Sequence, residues 1–270
     1  MATWRYFPYA VYSGAENMAI DEALLLSMAH SEDPQPVLRF YGWNPATLSL
    51  GYAQSYHKEV NEEACQVEGI DIVRRPTGGR AVLHEYELTY SVIAPEDNPN
   101  VAGTVVQSYL RISQALLKGF RTLGVEAEMV ASEVKQRERS AVCFESPSWY
   151  ELVVDGRKLV GSAQVRKEGV LLQHGSILLH FDAERLFRLL KFPSEGVGQR
   201  LLTGFKAKAC ALDEVWTQPI GREELEYEIC SGFRDIMGIE LLRSQLTDQE
   251  KILMEEMLPK YSSEAWTKKR

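Results

Sequence analysis

Long apolar runs are missing from this chain of 270 residues: no stretch approaches 18 consecutive apolar residues, so a membrane-spanning helix is not expected. The opening MATWRYFPYAVYSG has neither the cationic start nor the long apolar centre of a secretory signal, which makes cytoplasm the expected compartment. Cysteine is scarce. Cys65, Cys143, Cys210 and Cys230 show no Cys-X-X-Cys spacing and are too few for a disulfide framework at this length, so they read as reduced thiols. No His-X-X-X-His or Cys/His cluster is present, which leaves no expected metal. Excess positive charge is absent too. Lys plus Arg is 30 against 38 for Asp plus Glu, a formal charge of −8, which argues against coating a nucleic-acid backbone. Repeats and low-complexity tracts are lacking, and no linker demands a domain boundary.

What remains is a soluble globular composition, 45% hydrophobic and 25% charged, able to bury a real core. Ser13-Gly14-Ala15-Glu16 predicts a capped helix start, followed by Met18, Ile20, Leu24 and Met28 against a core. Strands are expected at 37–41 and 47–52, a helix at 58–67, and strands at 70–74 and 87–93 on either side of a glycine turn. The longest amphipathic helix is read over 101–123, ended by Gly124. Asp155-Gly156 predicts a hairpin between strands at 149–154 and 158–163, with another strand at 169–179. Helices follow at 183–190, 222–237 and 248–257, with a candidate strand at 239–242. Short turns between strands, without regular βαβ alternation, give an α+β fold: a mixed, largely antiparallel sheet flanked by helices. One catalytic domain is expected over 1–270, with a core of about 1–215 and a helical C-terminal extension of about 216–270.

Three segments carry candidate chemistry. Arg74-Arg75-Pro76-Thr77-Gly78-Gly79-Arg80 ends near His84, and glycines between strands let a backbone approach a ligand while arginines pair with an anion. An ordinary hairpin with exposed cations fits the spacing equally well. The segment is neither a phosphate loop nor Gly-X-Gly-X-X-Gly, so it makes no standard nucleotide claim. Cys143 lies in a stretch of small and turn-forming residues. A thiol reacts as its thiolate, and an ordinary cysteine near pKa 8.5 is only slightly ionised at neutrality, so it needs a neighbouring cation. Lys158, just past the hairpin turn, is a candidate. Each unit of lowered pKa corresponds to roughly 1.4 kcal/mol. The bland alternative is a buried apolar Cys143 and a solvated Lys158. Cys65 and Cys230 fall on amphipathic helices and Cys210 among alanines, where no role is expected. His84 and His174 lie in or beside strands, where a histidine is more often a structural hydrogen-bonder than a base.

Taken together, Arg-Arg-Pro-Thr-Gly-Gly-Arg-Ala-Val-Leu-His at 74–84, Glu-Leu-Thr-Tyr-Ser at 87–91 and Gly-Arg-Lys-Leu-Val-Gly-Ser-Ala-Gln at 156–164 closely resemble the lipoate and biotin protein ligase superfamily. The likeness covers about the first 200 residues, including the helix from Ser13 and Gln-His-Gly-Ser-Ile-Leu-Leu at 173–179. Within it, Cys-Phe-X-X-Pro-Ser-Trp-Tyr-Glu-Leu-Val-Val at 143–154 is similar to the cysteine-dependent octanoyltransferases. Arg80 stands where ligases commonly carry a third glycine, and its long side chain would crowd a nucleotide phosphate.

The resemblance implies an acyltransferase of lipoate biosynthesis that needs no cofactor. Cys143 would take octanoyl from octanoyl-acyl carrier protein as a thioester and pass it to a lysine of a lipoyl domain, chiefly the glycine-cleavage H protein. Lys158 would lower the thiol pKa. Arg74, Arg75, Thr77, Gly78, Gly79, His84, Gly161, Ser162 and Ala163 would contact substrate, with backbone N–H groups near Gly78, Gly79 or Gly161 as oxyanion donors. Arg74, Arg75 and Arg80 would form a local basic patch for acidic carrier proteins. Three alternatives stay open: an amidotransferase that takes the acyl group from H protein to dehydrogenase lipoyl domains, an ATP-dependent lipoate ligase, and a non-catalytic module that binds lipoyl domains or fatty acid.

Overall fold

Residues 1–131, 150–218 and 220–270 are described by a computed structural model. The chain begins β1 (Ala2–Tyr12), α1 (Gly14–Ala29), β2 (Val37–Trp43), β3 (Thr47–Leu50), α2 (Tyr56–Glu59), α3 (Glu62–Val67), β4 (Asp71–Arg74), β5 (Val82–His84) and β6 (Glu87–Pro95). It continues α4 (Val105–Thr122), β7 (Glu128–Ala131), β8 (Tyr150–Val154), β9 (Arg157–Lys158), β10 (Val160–Lys167) and β11 (Val170–Leu178). Last come α5 (Ala183–Arg188), α6 (Glu195–Lys208), α7 (Leu212–Val215), α8 (Arg222–Met237), β12 (Ile239–Arg243), α9 (Asp248–Tyr261) and α10 (Glu264–Thr267).

Six strands form the main sheet in the order β10-β11-β6-β2-β1-β12. The pairs from β2 to β10 are antiparallel, while β1 runs parallel to both β2 and β12. This is the mixed α+β architecture expected. One face carries Leu38, Phe40, Leu88 and Tyr90 into a core closed by Ile112, Leu116 and Phe120 of α4 and by Ile229 and Phe233 of α8. The other packs Val37, Ile93 and Leu172 against Ile20, Leu24 and Leu25 of α1, and α9 lies over α1. Among the described residues no helix is long and apolar enough to cross a membrane.

The local signals explain where elements start. Ser13 caps α1 through its hydroxyl while Glu16 accepts from the Ser13 N–H at 2.8 Å. Those hydrogen bonds hold the Glu16 carboxyl below its ordinary pKa. Thr104 and Gln107 make the same reciprocal cap on α4, which therefore begins at Val105 rather than 101. Asp155 and Gly156 both have positive φ and close β8 onto β9 with Val154 opposite Arg157, as the dipeptide predicted.

Three expectations are corrected. The helix read over 58–67 is two short helices, because Val60 bridges to Leu190 and Asn61 instead caps α3. The reading of strands at 70–74 and 87–93 about the glycine turn omits β5: β4 and β5 both flank β3 in a small sheet, and the chain crosses at Glu85-Tyr86 into β6 of the main one. The strand read over 87–93 alternates polar and apolar residues as a half-exposed strand would, yet Glu87 through Ala94 is buried throughout. Its polar set, Glu87, Thr89 and Ser91, feeds a buried hydrogen-bond network instead.

Candidate active site

The hairpin β10–β11 turns at Glu168 and Gly169, both at positive φ, and this tight turn fixes Gly161 opposite Ser176 and Ala163 opposite His174. Gly161, Ser162 and Ala163 thereby line a small cavity of about 30 Å³, shared with Ser49 and Arg75, with His84 and His174, and with Met18 and Trp43 of the adjoining elements. Of the predicted positions, the structure brings Arg75, His84, Gly161, Ser162 and Ala163 together here from three parts of the chain.

Two buried carboxylate–imidazole–hydroxyl arrays face the cavity. In the first, His84 Nδ1 lies 2.5 Å from Glu87 Oε1 and its Nε2 lies 2.7 Å from Ser49 Oγ. Glu87 also accepts from the hydroxyls of Ser176, at 2.6 Å, and Thr89, and Arg75 donates to Ser49 Oγ at 3.0 Å. Trp43 stacks on the His84 ring at 4.0 Å and donates its indole N–H to Thr89. In the second, His174 Nδ1 lies 3.3 Å from Asp21 Oδ2 and its Nε2 2.6 Å from Thr77 Oγ1. Asp21 further accepts from Arg39 at 2.7 Å, Tyr41 at 3.0 Å and Ser91 at 3.0 Å.

These partners decide protonation. Burial would push Asp21 up, but the Arg39 guanidinium and the His174 hydrogen bond hold it below the ordinary carboxylate value. Burial outweighs Asp21 at His174 and lowers its pKa, so the ring is neutral near pH 7. An ionised Asp21 accepts only, so Nδ1–H donates to it and Nε2 accepts from the Thr77 hydroxyl. A fixed tautomer anchors Thr77 at the start of the exposed Gly78-Gly79 pair. Thr77 itself is fully buried.

The arginines do not form the expected patch. Arg74 is 0% exposed and its guanidinium donates to the carbonyls of Gly51, Tyr52, Gln54 and Thr267. Arg75 is buried and donates to the carbonyls of Ser49, Gly78 and Arg80. Both cations point inward and tie the loop to the small sheet, leaving only Arg80 partly exposed, 3.6 Å from Glu59. An acidic carrier therefore meets neither Arg74 nor Arg75.

Lys158 is not a solvated strand-end charge. It is 4% exposed, paired across the hairpin with Val153, and donates from Nζ to Glu151 Oε1 at 2.9 Å. Cys143, its predicted partner, lies outside the described residues. The other three thiols are buried, and burial pushes Cys65 and Cys210 up to about 11 and Cys230 up to about 12. Each stays protonated near neutrality and is a poor nucleophile.

The residues that sequence reading did not single out are Asp21, Ser49 and Glu87. Glu87, three residues beyond His84, carries the one available signal, since a carboxylate at that spacing can reach the ring. Asp21 and Ser49 have no comparable neighbour in sequence.

The chain matches the lipoyl protein ligase A/B catalytic domain family over residues 13–234. It is 49% identical over 277 residues to octanoyltransferase LipM of Brevibacillus brevis, covering 100% of both chains. It is 46% identical over 275 residues to octanoyltransferase LipM of Bacillus subtilis, covering 99% of each. Among solved structures it is similar to a bipartite lipoate protein ligase of Thermoplasma acidophilum, with a TM-score of 0.81, 25% identity and coverage of 99% of this chain and 97% of that one. The fold is also that of a lipoate-protein ligase A solved with ATP, at a TM-score of 0.80, 22% identity and 98% coverage of both chains.

Proposed function

The chain belongs to the lipoyl protein ligase A/B catalytic domain family and is an acyltransferase, and from that premise we propose that it transfers octanoyl from octanoyl-acyl carrier protein to a lysine of a lipoyl domain, chiefly the glycine-cleavage H protein, through a thioester on Cys143. The full-length likeness to octanoyltransferases LipM carries this reading. The elevated pKa of every other thiol supports Cys143 as the nucleophile.

In the first step the Cys143 thiolate attacks the thioester carbonyl, a C–S bond to the enzyme forms, and the carrier's thiolate leaves and takes up a proton. In the second, the neutral amine of the acceptor lysine attacks the same carbonyl. A C–N bond forms, the Cys143–acyl bond breaks, and the nitrogen loses its extra proton. Exchange of thioester for thioester is nearly balanced and thioester to amide is downhill, so neither step needs nucleotide activation. Lys158 contributes an ammonium held in a largely buried position, where charge acts more strongly than in water. Its role is to favour S⁻ over SH at Cys143. Gly161, Ser162 and Ala163 would flank the acyl group. Backbone N–H groups of the Gly78-Gly79 loop or of Gly161 would receive the tetrahedral oxyanion.

Incubation with octanoyl-acyl carrier protein and apo H protein without ATP should octanoylate H protein, and Cys143→Ala should abolish the product. Full activity in Cys143→Ala would overturn the proposal.

A further inference from the structure

We propose that Trp266 and Thr267, acting through Arg74, form a clasp that positions the glycine loop 77–80 for acyl transfer. Trp266 and Arg74 are then positioning residues of the reaction, though both lie away from the cavity lining and Trp266 lies beyond the matched family range of 13–234.

The guanidinium of Arg74 bridges two separate pieces of chain. On one side Nε donates to the carbonyls of Trp266 and Thr267 at 3.3 and 3.1 Å, and Nη2 to Thr267 at 2.8 Å. On the other, Nη1 donates to the carbonyls of Gly51, Tyr52 and Gln54 at 2.9, 3.2 and 2.8 Å. The bridge is reciprocated, because the indole N–H of Trp266 donates to the Arg74 carbonyl at 2.8 Å. Burying a guanidinium is costly unless its donors are satisfied, and here backbone carbonyls do this. Such a fork is rigid, and lysine cannot reproduce it.

The turn held by Arg74 is the surface on which the loop rests. The N–H of Tyr52 donates to the Thr77 carbonyl at 2.8 Å. Gly51 packs so closely on the loop that a Cβ there would sit 2.1 Å from the Gly79 oxygen. The far end is tied in as well: the Gln54 amide group accepts from the Gly51 N–H at 2.9 Å and donates to Glu59 at 2.8 Å, and Glu59 pairs with Arg80. Outside the clasp, the Trp266 ring meets Tyr52 at 6.0 Å and the Lys269 ammonium lies 3.3 and 3.6 Å from the two ring centres. Gly78 and Gly79 are exposed; Arg75 holds the carbonyls of Gly78 and Arg80 from one side, and the turn 51–54 supports the loop from the other.

The catalytic part of the proposal rests on the proposed acyl transfer; the clasp itself does not. Full-length Trp266→Phe keeps an aromatic ring, though a smaller one, and removes the N–H, and Arg74→Lys keeps the charge and removes the fork. Hydrogen–deuterium exchange at amides 51–54, where the N–H groups of Gly51, Tyr52 and Gln54 are hydrogen-bonded and that of Tyr52 reports the contact with Thr77, is measured beside the rate of Cys143 acylation by octanoyl-acyl carrier protein, with iodoacetamide alkylation of Cys143 as a control that needs no oxyanion site. In Trp266→Phe, exchange at 51–54 should quicken about tenfold and acylation slow by a similar factor, the change expected when a hydrogen bond of about 1.4 kcal/mol is lost. Alkylation should be unchanged. Arg74→Lys should exceed both effects; if it does not fold, Trp266→Phe decides. Unchanged exchange at 51–54, exchange that rises equally across the chain, or faster exchange at 51–54 with undiminished acylation would each overturn the inference. If the unsubstituted protein is never acylated, the proposed function fails, and the exchange measurement still judges the clasp.

Discussion

Gly51→Ala offers a quantitative test of the support under the glycine loop. A Cβ built at this position lies 2.1 Å from the Gly79 oxygen, 2.8 Å from its carbonyl carbon and 3.2 Å from that of Gly78. All three are backbone atoms, which cannot rotate away as a side chain would, so turn and loop must separate by about 1 Å. Overpacking of this kind costs about 1–3 kcal/mol, and a chain of this size loses about 2–4 °C in Tm per kcal/mol. A misplacement of about 1 Å at a reacting centre lowers the rate on the order of 100-fold. Gly51→Ala should therefore show a Tm lower by several degrees and octanoyl transfer slower by roughly two orders of magnitude. Gly78→Ala is the comparison: no atom lies within 4 Å of its built Cβ, so Tm should not change, and any loss of rate there reports how closely the ligand approaches. Wild-type Tm and wild-type rate in Gly51→Ala would refute the reasoning.

Other perturbations separate the buried networks from the chemistry. Arg39→Met removes the cation from Asp21, which is 0% exposed, and should cost about 3–5 kcal/mol by urea denaturation; Asp21→Asn in the same background should recover part of it. His174 has a native pKa below its unfolded value near 6.5, so the unfolded chain takes up a proton first as pH falls. Stability should drop from pH 6.5 downward toward the native pKa, by up to about 1.4 kcal/mol per pH unit, and His174→Gln should flatten that region. Asp21, depressed below 3.8, should add its own loss only as pH falls through its native pKa. Lys158→Ala should move the pH profile of Cys143 alkylation upward; an unmoved profile would remove the ammonium from the account.

Much of the fold is legible because its signals are local. The Ser13/Glu16 cap and the Asp155-Gly156 turn need only neighbours a few residues apart, and both appear as expected. β1 was not anticipated. It is paired on both sides, by β2 and β12, and Pro8 lies where its register against β2 shifts, so neither alternation nor composition marks it. The motif 74–84 pointed to the correct region, yet the destination of its cations was hidden. Arg74 finds its carbonyls at Gly51 and at Thr267, 193 residues away, and no pattern in the chain announces an interior guanidinium. The same holds for the Asp21 network, whose members come from α1, β2, β6 and β11.

Intact mass of the protein after mixing with octanoyl-acyl carrier protein, followed by peptide mapping, probes the covalent step directly. A single octanoyl adduct on the peptide containing Cys143, discharged when apo H protein is added, is the predicted result. Octanoylated H protein produced with no adduct ever detectable, or an adduct confined to another residue, would contradict it.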